Sequence, residues 1–161
     1  VTETVALRPL RVTDAAEMTL VLAHPGLYRY TGGKPPSEAD LERLYAIQTR
    51  GRSVDGTEEW LNDIVVVGDD QRAVGFVQAT LPADQRLAEI SWVIGLPWQR
   101  RGYAGRAVQL LADDLRARGV TQLIAHIHPG HEASQHVARR LGMTLSDTVV
   151  DGEEQWSGSL G

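Results

Sequence analysis

The segment Gln99-Arg100-Arg101-Gly102-Tyr103-Ala104-Gly105-Arg106 carries the residue types that hold a multiply charged anion. It follows an apolar, strand-like run and opens a helical one. The first N–H groups of a helix have no intrahelical partner and sit at the positive end of the helix dipole, so such a start attracts anions. Gly102 and the small Ala104 let a ligand approach the backbone closely. Arg100, Arg101 and Arg106 add charge-assisted donors for phosphate oxygens. The pattern suits a pyrophosphate. It is not a Walker loop, which ends in Gly-Lys-Ser or Gly-Lys-Thr, nor a dinucleotide fingerprint, which needs Gly-x-Gly-x-x-Gly.

Other chemistry-bearing residues flank this segment. Glu89 precedes it on an apolar strand, alternating with Ala88 and Ile90. His126, His128 and His131 form a cluster whose first two members share a strand face. A zinc ion would ask for three or four N, O or S ligands in fixed geometry; pocket-lining or surface histidines are the plainer reading, and no metal is expected. Ser134 falls in the first turn of a helix, where it either caps the helix or contacts a ligand. Trp92 and Trp98 flank the anion segment and fit core positions as well as a ligand wall.

The elements that must position these groups follow from periodicity. Residues 5–10 read as a strand, 15–23 as a short helix after Thr13-Asp14, and 28–36 as a loop. Ser37 is a good N-cap for a helix over 38–50, with Leu41, Leu44 and Ile47 at helical spacing. Residues 51–56 form another loop. Strands over 61–67, 73–81 and 87–94, joined by turns at 68–71 and 82–85, make an antiparallel meander, with Ala88, Ile90 and Trp92 on one face. The clearest helix runs over 102–118, with Ala104, Ala107, Val108, Leu111 and Leu115 in one stripe. A strand over 122–127, a helix over 132–141 facing inward through Ala133, Val137 and Leu141, and two strands around Asp151-Gly152 complete the chain. The order β-α-α-β-β-β-α-β-α-β-β, without repeat or linker, gives one α/β domain over residues 1–161.

Bulk composition narrows the classes. The chain has 161 residues, 42% hydrophobic and 23% charged, which is an ordinary globular balance. It has no cysteine, so disulfides, thiol nucleophiles and thiolate metal sites are excluded. Net charge is −5, the wrong sign for a nucleic-acid partner, and suits cationic substrates such as amines. Lys34 is the only lysine. No run approaches 18 apolar residues, so no membrane span is expected. The opening residues show no basic region before an apolar run, so no signal peptide is expected and the cytoplasm is the expected location.

In this setting the chain resembles the GCN5-related N-acetyltransferase (GNAT) family. The family's cofactor motif, Gln or Arg, two residues, Gly, one residue, then Gly or Ala, is matched by Gln99, Gly102 and Ala104. Leu7-Arg8-Pro9-Leu10, His128-Pro129-Gly130-His131-Glu132-Ala133-Ser134, Arg140-Leu141-Gly142-Met143 and Asp151-Gly152-Glu153 look like the branch that acetylates the N-terminal alanine of ribosomal proteins. Two positions depart from that branch: His131 stands for an Asn and Met143 for a Phe.

The resemblance implies a mixed, mainly antiparallel sheet with flanking helices and direct acetyl transfer from acetyl-CoA to a primary amine. It implies that the backbone from Arg101 to Arg106 holds the pyrophosphate and that Trp92, Val93 and Ile94 pair with the pantetheine arm and supply an oxyanion N–H. Gln99, Arg100, His131 and Ser134 join that cofactor set, Ser134 also as a general acid toward the leaving thiolate. An ammonium must lose a proton before it attacks a thioester, and Glu89 matches the strand glutamate that takes it, directly or through water. Tyr28, Tyr30 and Trp60 lie where the family builds its substrate mouth. A protein N-terminus and small-molecule amines both stay open as acceptors, as does a homodimer. The rival reading is a CoA-binding regulatory domain that kept the fold and lost the chemistry.

Overall fold

The computed structural model describes residues 3–84 and 86–161. Val1, Thr2 and the Gln85 end of the expected turn at 82–85 lie outside the described residues. The strands are β1 (Val5–Pro9), β2 (Glu58–Val67), β3 (Arg72–Pro82), β4 (Leu87–Ile94), β5 (Gln122–Ile127), β6 (Thr144–Val150) and β7 (Glu153–Ser159). The helices are α1 (Ala15–Val21), α2 (Glu38–Gln48), α3 (Tyr103–Ala117) and α4 (Glu132–Arg140). The element order matches the expected one, with short 3-10 turns added at Val12–Asp14, Pro25–Tyr28 and Leu96–Trp98.

The strands form one sheet in the order β1-β2-β3-β4-β5-β7-β6. All described pairings are antiparallel except β4 with β5. The sheet is therefore of the expected mixed, mainly antiparallel kind. Two apolar layers sandwich it. On one face α3 buries Ala107, Val108, Leu111 and Leu115 against Val65, Val77, Ile90 and Leu123. On the other, Met18 of α1 with Leu41 and Tyr45 of α2 covers Ile64, Val66 and Ala73.

Several details differ from the sequence reading. The strand expected over 61–67 starts at Glu58, because its edge pairs fully with β3. In α2 the buried pair is Leu41 and Tyr45, at i,i+4; Leu44 and Ile47 stay exposed. Ser37 does cap α2, accepting from the Asp40 N–H, while the Asp40 carboxylate accepts from the Ser37 N–H. In α4 Ala138 is the buried residue and Ala133 faces solvent. Val137 and Leu141 pack on the core as expected, so only the Ala133 end of the α4 stripe turns out to solvent.

Candidate active site

The site is built where two strands part. β4 and β5 pair only from Leu87↔Gln122 to Glu89↔Ile124. Beyond Glu89 the strands separate, and Ile90 to Ile94 pair only with β3. Gly95 N–H donates to the Val74 carbonyl at 2.8 Å. In an antiparallel ladder hydrogen-bonded pairs recur every second residue, so Phe76↔Val93 is also a bonded pair. The Val93 amide groups therefore turn toward β3, and those of Trp92 and Ile94 turn into the fork. This corrects one expectation: Val93 has no free backbone to offer a ligand, and its side chain packs on the α1–α2 layer instead. Gly75 makes the arrangement possible, since a Cβ there would lie 2.1 Å from the Val93 carbonyl oxygen.

The fork leads to the start of α3. Gly102 is the N-cap, at φ 79°, with no side-chain cap. Arg100 is also left-handed, at φ 65°. Left-handed residues placed this closely turn neighbouring N–H groups toward one side, which makes an anion-binding hollow. Space beside Gly105 is open, since a Cβ there would meet no atom within 4 Å. Arg106 Nη1 is buried and, among the described residues, has no hydrogen-bond partner. A buried guanidinium nitrogen without an acceptor is costly, so Arg106 carries an unmet donor in the first turn of α3. These features fit a pyrophosphate group. Two members of the expected set act differently. Gln99 Nε2 donates to the Ile94 carbonyl at 2.9 Å, which ties the loop to the end of β4. The Tyr103 side chain is buried in the α3 core, so only its N–H faces the hollow. Trp92 and Trp98 pack on the core as well.

On the opposite sheet face from α3, Glu89 Oε1 lies 2.7 Å from His126 Nδ1, and His126 Nε2 lies 3.1 Å from Gln155 Oε1. A carboxylate only accepts, so Nδ1 is the donor in this contact, and Nε2 accepts from Gln155 with that amide turned to present its NH2. The carboxylate is half exposed and the imidazole mostly covered, at 49% and 18%. Glu89 Oε1 is thus held, and Oε2 has no hydrogen-bond partner among the described residues. Ser91, on the same face, donates to Gln78 Oε1 at 3.2 Å. Sequence reasoning took His126 only as part of a cluster and missed Gln155, Ser91 and Gln78. The strand alternation signals Ser91; Gln78 and Gln155 arrive through cross-strand register, which has no local signal.

The β5–α4 loop forms the third part. Ser134 is the third residue of α4, past the cap position held by His131. Its hydroxyl lies 3.4 Å from His131 Nε2. The His131 ring stacks on Tyr30, with centroids 4.7 Å apart and 14° between planes, and Tyr30 also lies 5.2 Å from the His128 ring. Burial, then the neighbouring His128, hold the His131 pKa below its ordinary value. His128 Nδ1 accepts the Gly130 N–H. Among the described residues no three His, Asp or Glu side chains converge as a metal site would require. Tyr28 donates to the Leu22 carbonyl and lines a cavity beside Val93. Trp60 does not join Tyr28 and Tyr30. It is a strand residue, not a loop residue, and it lines a separate hollow at the β1–β2 edge with Gln48 and Leu61.

The family model for the acetyltransferase (GNAT) domain matches residues 4–144. The chain belongs to the GNAT acetyltransferase family. No curated protein sequence matches this GNAT chain. Solved structures share its fold at low identity. A GNAT-family acetyltransferase from Bacillus anthracis superposes with a TM-score of 0.78 at 16% identity, covering 99% of this chain and 97% of that one. A spermidine N-acetyltransferase from Vibrio cholerae, solved with CoA and spermine, gives 0.77 at 17% identity, with 97% and 95% covered. An aminoglycoside acetyltransferase in complex with coenzyme A gives 0.78 at 16% identity, with 97% and 95% covered.

Proposed function

We propose that this GNAT protein transfers an acetyl group from acetyl-CoA to a primary amine by direct attack, with Glu89 as the base. The observation that carries the reading is the fork. The β4 and β5 strands separate immediately after Glu89, which is paired with His126, and the chain leaves the open end of β4 for the uncapped start of α3. On this reading the anion-binding and proton-accepting groups would lie at the two ends of one slot.

Acetyl-CoA, when bound, supplies an acetyl group activated as a thioester. The N–H groups at the α3 start would hold its pyrophosphate, with the unmet Arg106 donor in the same helical turn beside them. The fork-facing amides of Trp92 and Ile94 hold the pantetheine arm, and a Trp92 or Ile94 N–H polarises the acetyl carbonyl. Glu89 takes a proton from the acceptor ammonium, with His126 keeping its carboxylate in place. The Ser134 hydroxyl, beside His131, is the proton donor toward the departing thiolate. The complexes with CoA, spermine and an aminoglycoside acetyltransferase among the structural relatives support acetyl-CoA and an amine as the substrate pair.

Titration with acetyl-CoA, coupled to thiol release over a panel of primary amines, tests this reading. Saturable binding with amine-dependent thiol release is expected. Saturable binding without transfer to any amine would favour a CoA-binding regulatory domain instead.

A further inference from the structure

A cavity of about 270 Å³ opens between the α1–α2 layer and the sheet, with Leu22, Leu27, Leu41, Phe76 and Val93 in its wall. It begins beside the Glu89 site. Gln78 lines it and accepts from Ser91, which stands two residues from Glu89 on the same strand face. The volume is just below the range of about 300–1,000 Å³ usual for drug-sized ligands, so it has room for one small group.

The charges around the cavity are one-sided. Lys34 lines it with an exposed ammonium. Asp63 borders it through backbone only: its cross-strand partner is Val77, whose side chain lies in the α3-side core, so the Asp63 carboxylate is on that other face. There burial, then the neighbouring Asp114, raise its pKa. Asp14 is already held by Arg8, at 2.9 Å. The Tyr45 phenol, pushed up to about 12 chiefly by burial, is neutral. Among the described residues, then, the cavity wall presents no free carboxylate to a second cationic centre.

We infer that this cavity takes the body of the acceptor, and that the acceptor is an amine on an uncharged apolar group, aryl or branched alkyl, rather than a polyamine. The inference rests on the acyl-transfer reading above. The apolar group fills the space among Leu27, Leu41 and Phe76, and the amine extends past Gln78 to Glu89. A second ammonium in this wall would meet no carboxylate, only neutral acceptors such as the unpartnered Gln48 Oε1, which do not offset a buried charge, and Lys34 would repel it.

The test compares thiol release from acetyl-CoA with 2-phenylethylamine, a short peptide beginning with Phe, and spermidine. The better apolar acceptor should exceed spermidine at least tenfold in kcat/KM, about 1.4 kcal/mol. Preference for the peptide would identify the source of the apolar amine as a chain N-terminus, and preference for phenylethylamine a free small molecule. Lys34→Glu should narrow the gap to spermidine while the KM for acetyl-CoA stays constant. Spermidine turning over as well as the apolar acceptors would overturn the inference and leave acetyl transfer standing. A calorimetric titration with 2-phenylethylamine separates the two claims if no amine is acetylated. Binding that disappears in Leu27→Trp, which fills the cavity, would keep the inference and sink the chemistry. Absence of binding to the wild type would overturn the inference as well.

Discussion

The Glu89 carboxylate is held 2.7 Å from His126 Nδ1, across the two strands at the point where their pairing ends. The imidazole is fixed from its far side by Gln155. His126 thus acts on the reaction through Glu89 and is a positioning residue. His126→Ala should lower turnover about ten- to a hundredfold, the usual size of a misplaced catalytic group, with the KM for acetyl-CoA unchanged. The amide nitrogen of Asn overlays Nδ1, so His126→Asn should restore most of the loss. Steady-state kinetics of both variants check this, and failure of Asn to rescue would mean that His126 itself moves the proton.

Anion binding at the α3 start can be tested without disturbing the fold. Gly105→Glu places a carboxylate in open space in the first helical turn, where it favours the helix dipole but repels a pyrophosphate. Melting temperature should hold or rise, and CoA affinity should fall at least tenfold, about 1.4 kcal/mol. Arg106→Ala removes a buried, unpartnered nitrogen, so it should weaken CoA binding similarly without loss of stability. Calorimetric titration and thermal melts read both effects. Full CoA affinity in a folded Gly105→Glu protein would contradict the placement.

Ser134 separates a structural from a catalytic role. A lost N-cap would cost about 1 kcal/mol of stability and leave kinetics alone. Ser134 stands inside the helix beside His131, not at the cap. Ser134→Ala should therefore leave the melting temperature near normal and change turnover or the KM for acetyl-CoA. A melting shift with unchanged kinetics would contradict this.

The half-buried His131 gives the loop an acid limit. Its folded pKa is held below the ordinary 6.5 by burial and His128, so folding favours the neutral ring. That contribution is complete above the ordinary value and is lost as pH falls through the lower folded one. His131→Asn removes the titration. Between pH 7.5 and 5, the melting temperature of the wild type should fall further than that of the variant. Equal falls would place the acid sensitivity elsewhere.

The sequence shows the fold well because its signals are local. The capping box at Ser37 and Asp40, the α3 stripe and the bounds of β4 and β5 all come from spacing within one element. The helix start at Gly102 was legible for the same reason, since a left-handed N-cap asks for glycine. What could not be read depends on register between distant segments. Glu89 meets His126 only because β4 and β5 are parallel neighbours, and Gln155 joins them through the antiparallel partner of β5. Val93 was expected to lend its backbone to a ligand, but the alternation of bonded pairs turns it toward β3. Trp60 falls just before the strand expected from Leu61, while pairing with Thr80 carries β2 further back and sets it apart from the expected substrate mouth.

The most direct test of the account is the pH profile of amine-dependent thiol release for the wild type and Glu89→Gln at saturating acetyl-CoA. Gln keeps the shape and removes the base, and general-base catalysis contributes about a hundredfold or more. Turnover of Glu89→Gln should be lower by that order at pH 7, with acetyl-CoA affinity near normal. The gap should shrink as pH rises and more of the acceptor is already neutral. Full turnover of Glu89→Gln at pH 7 would contradict the assignment of Glu89 as the base, and a parallel loss of cofactor affinity would show that it is structural.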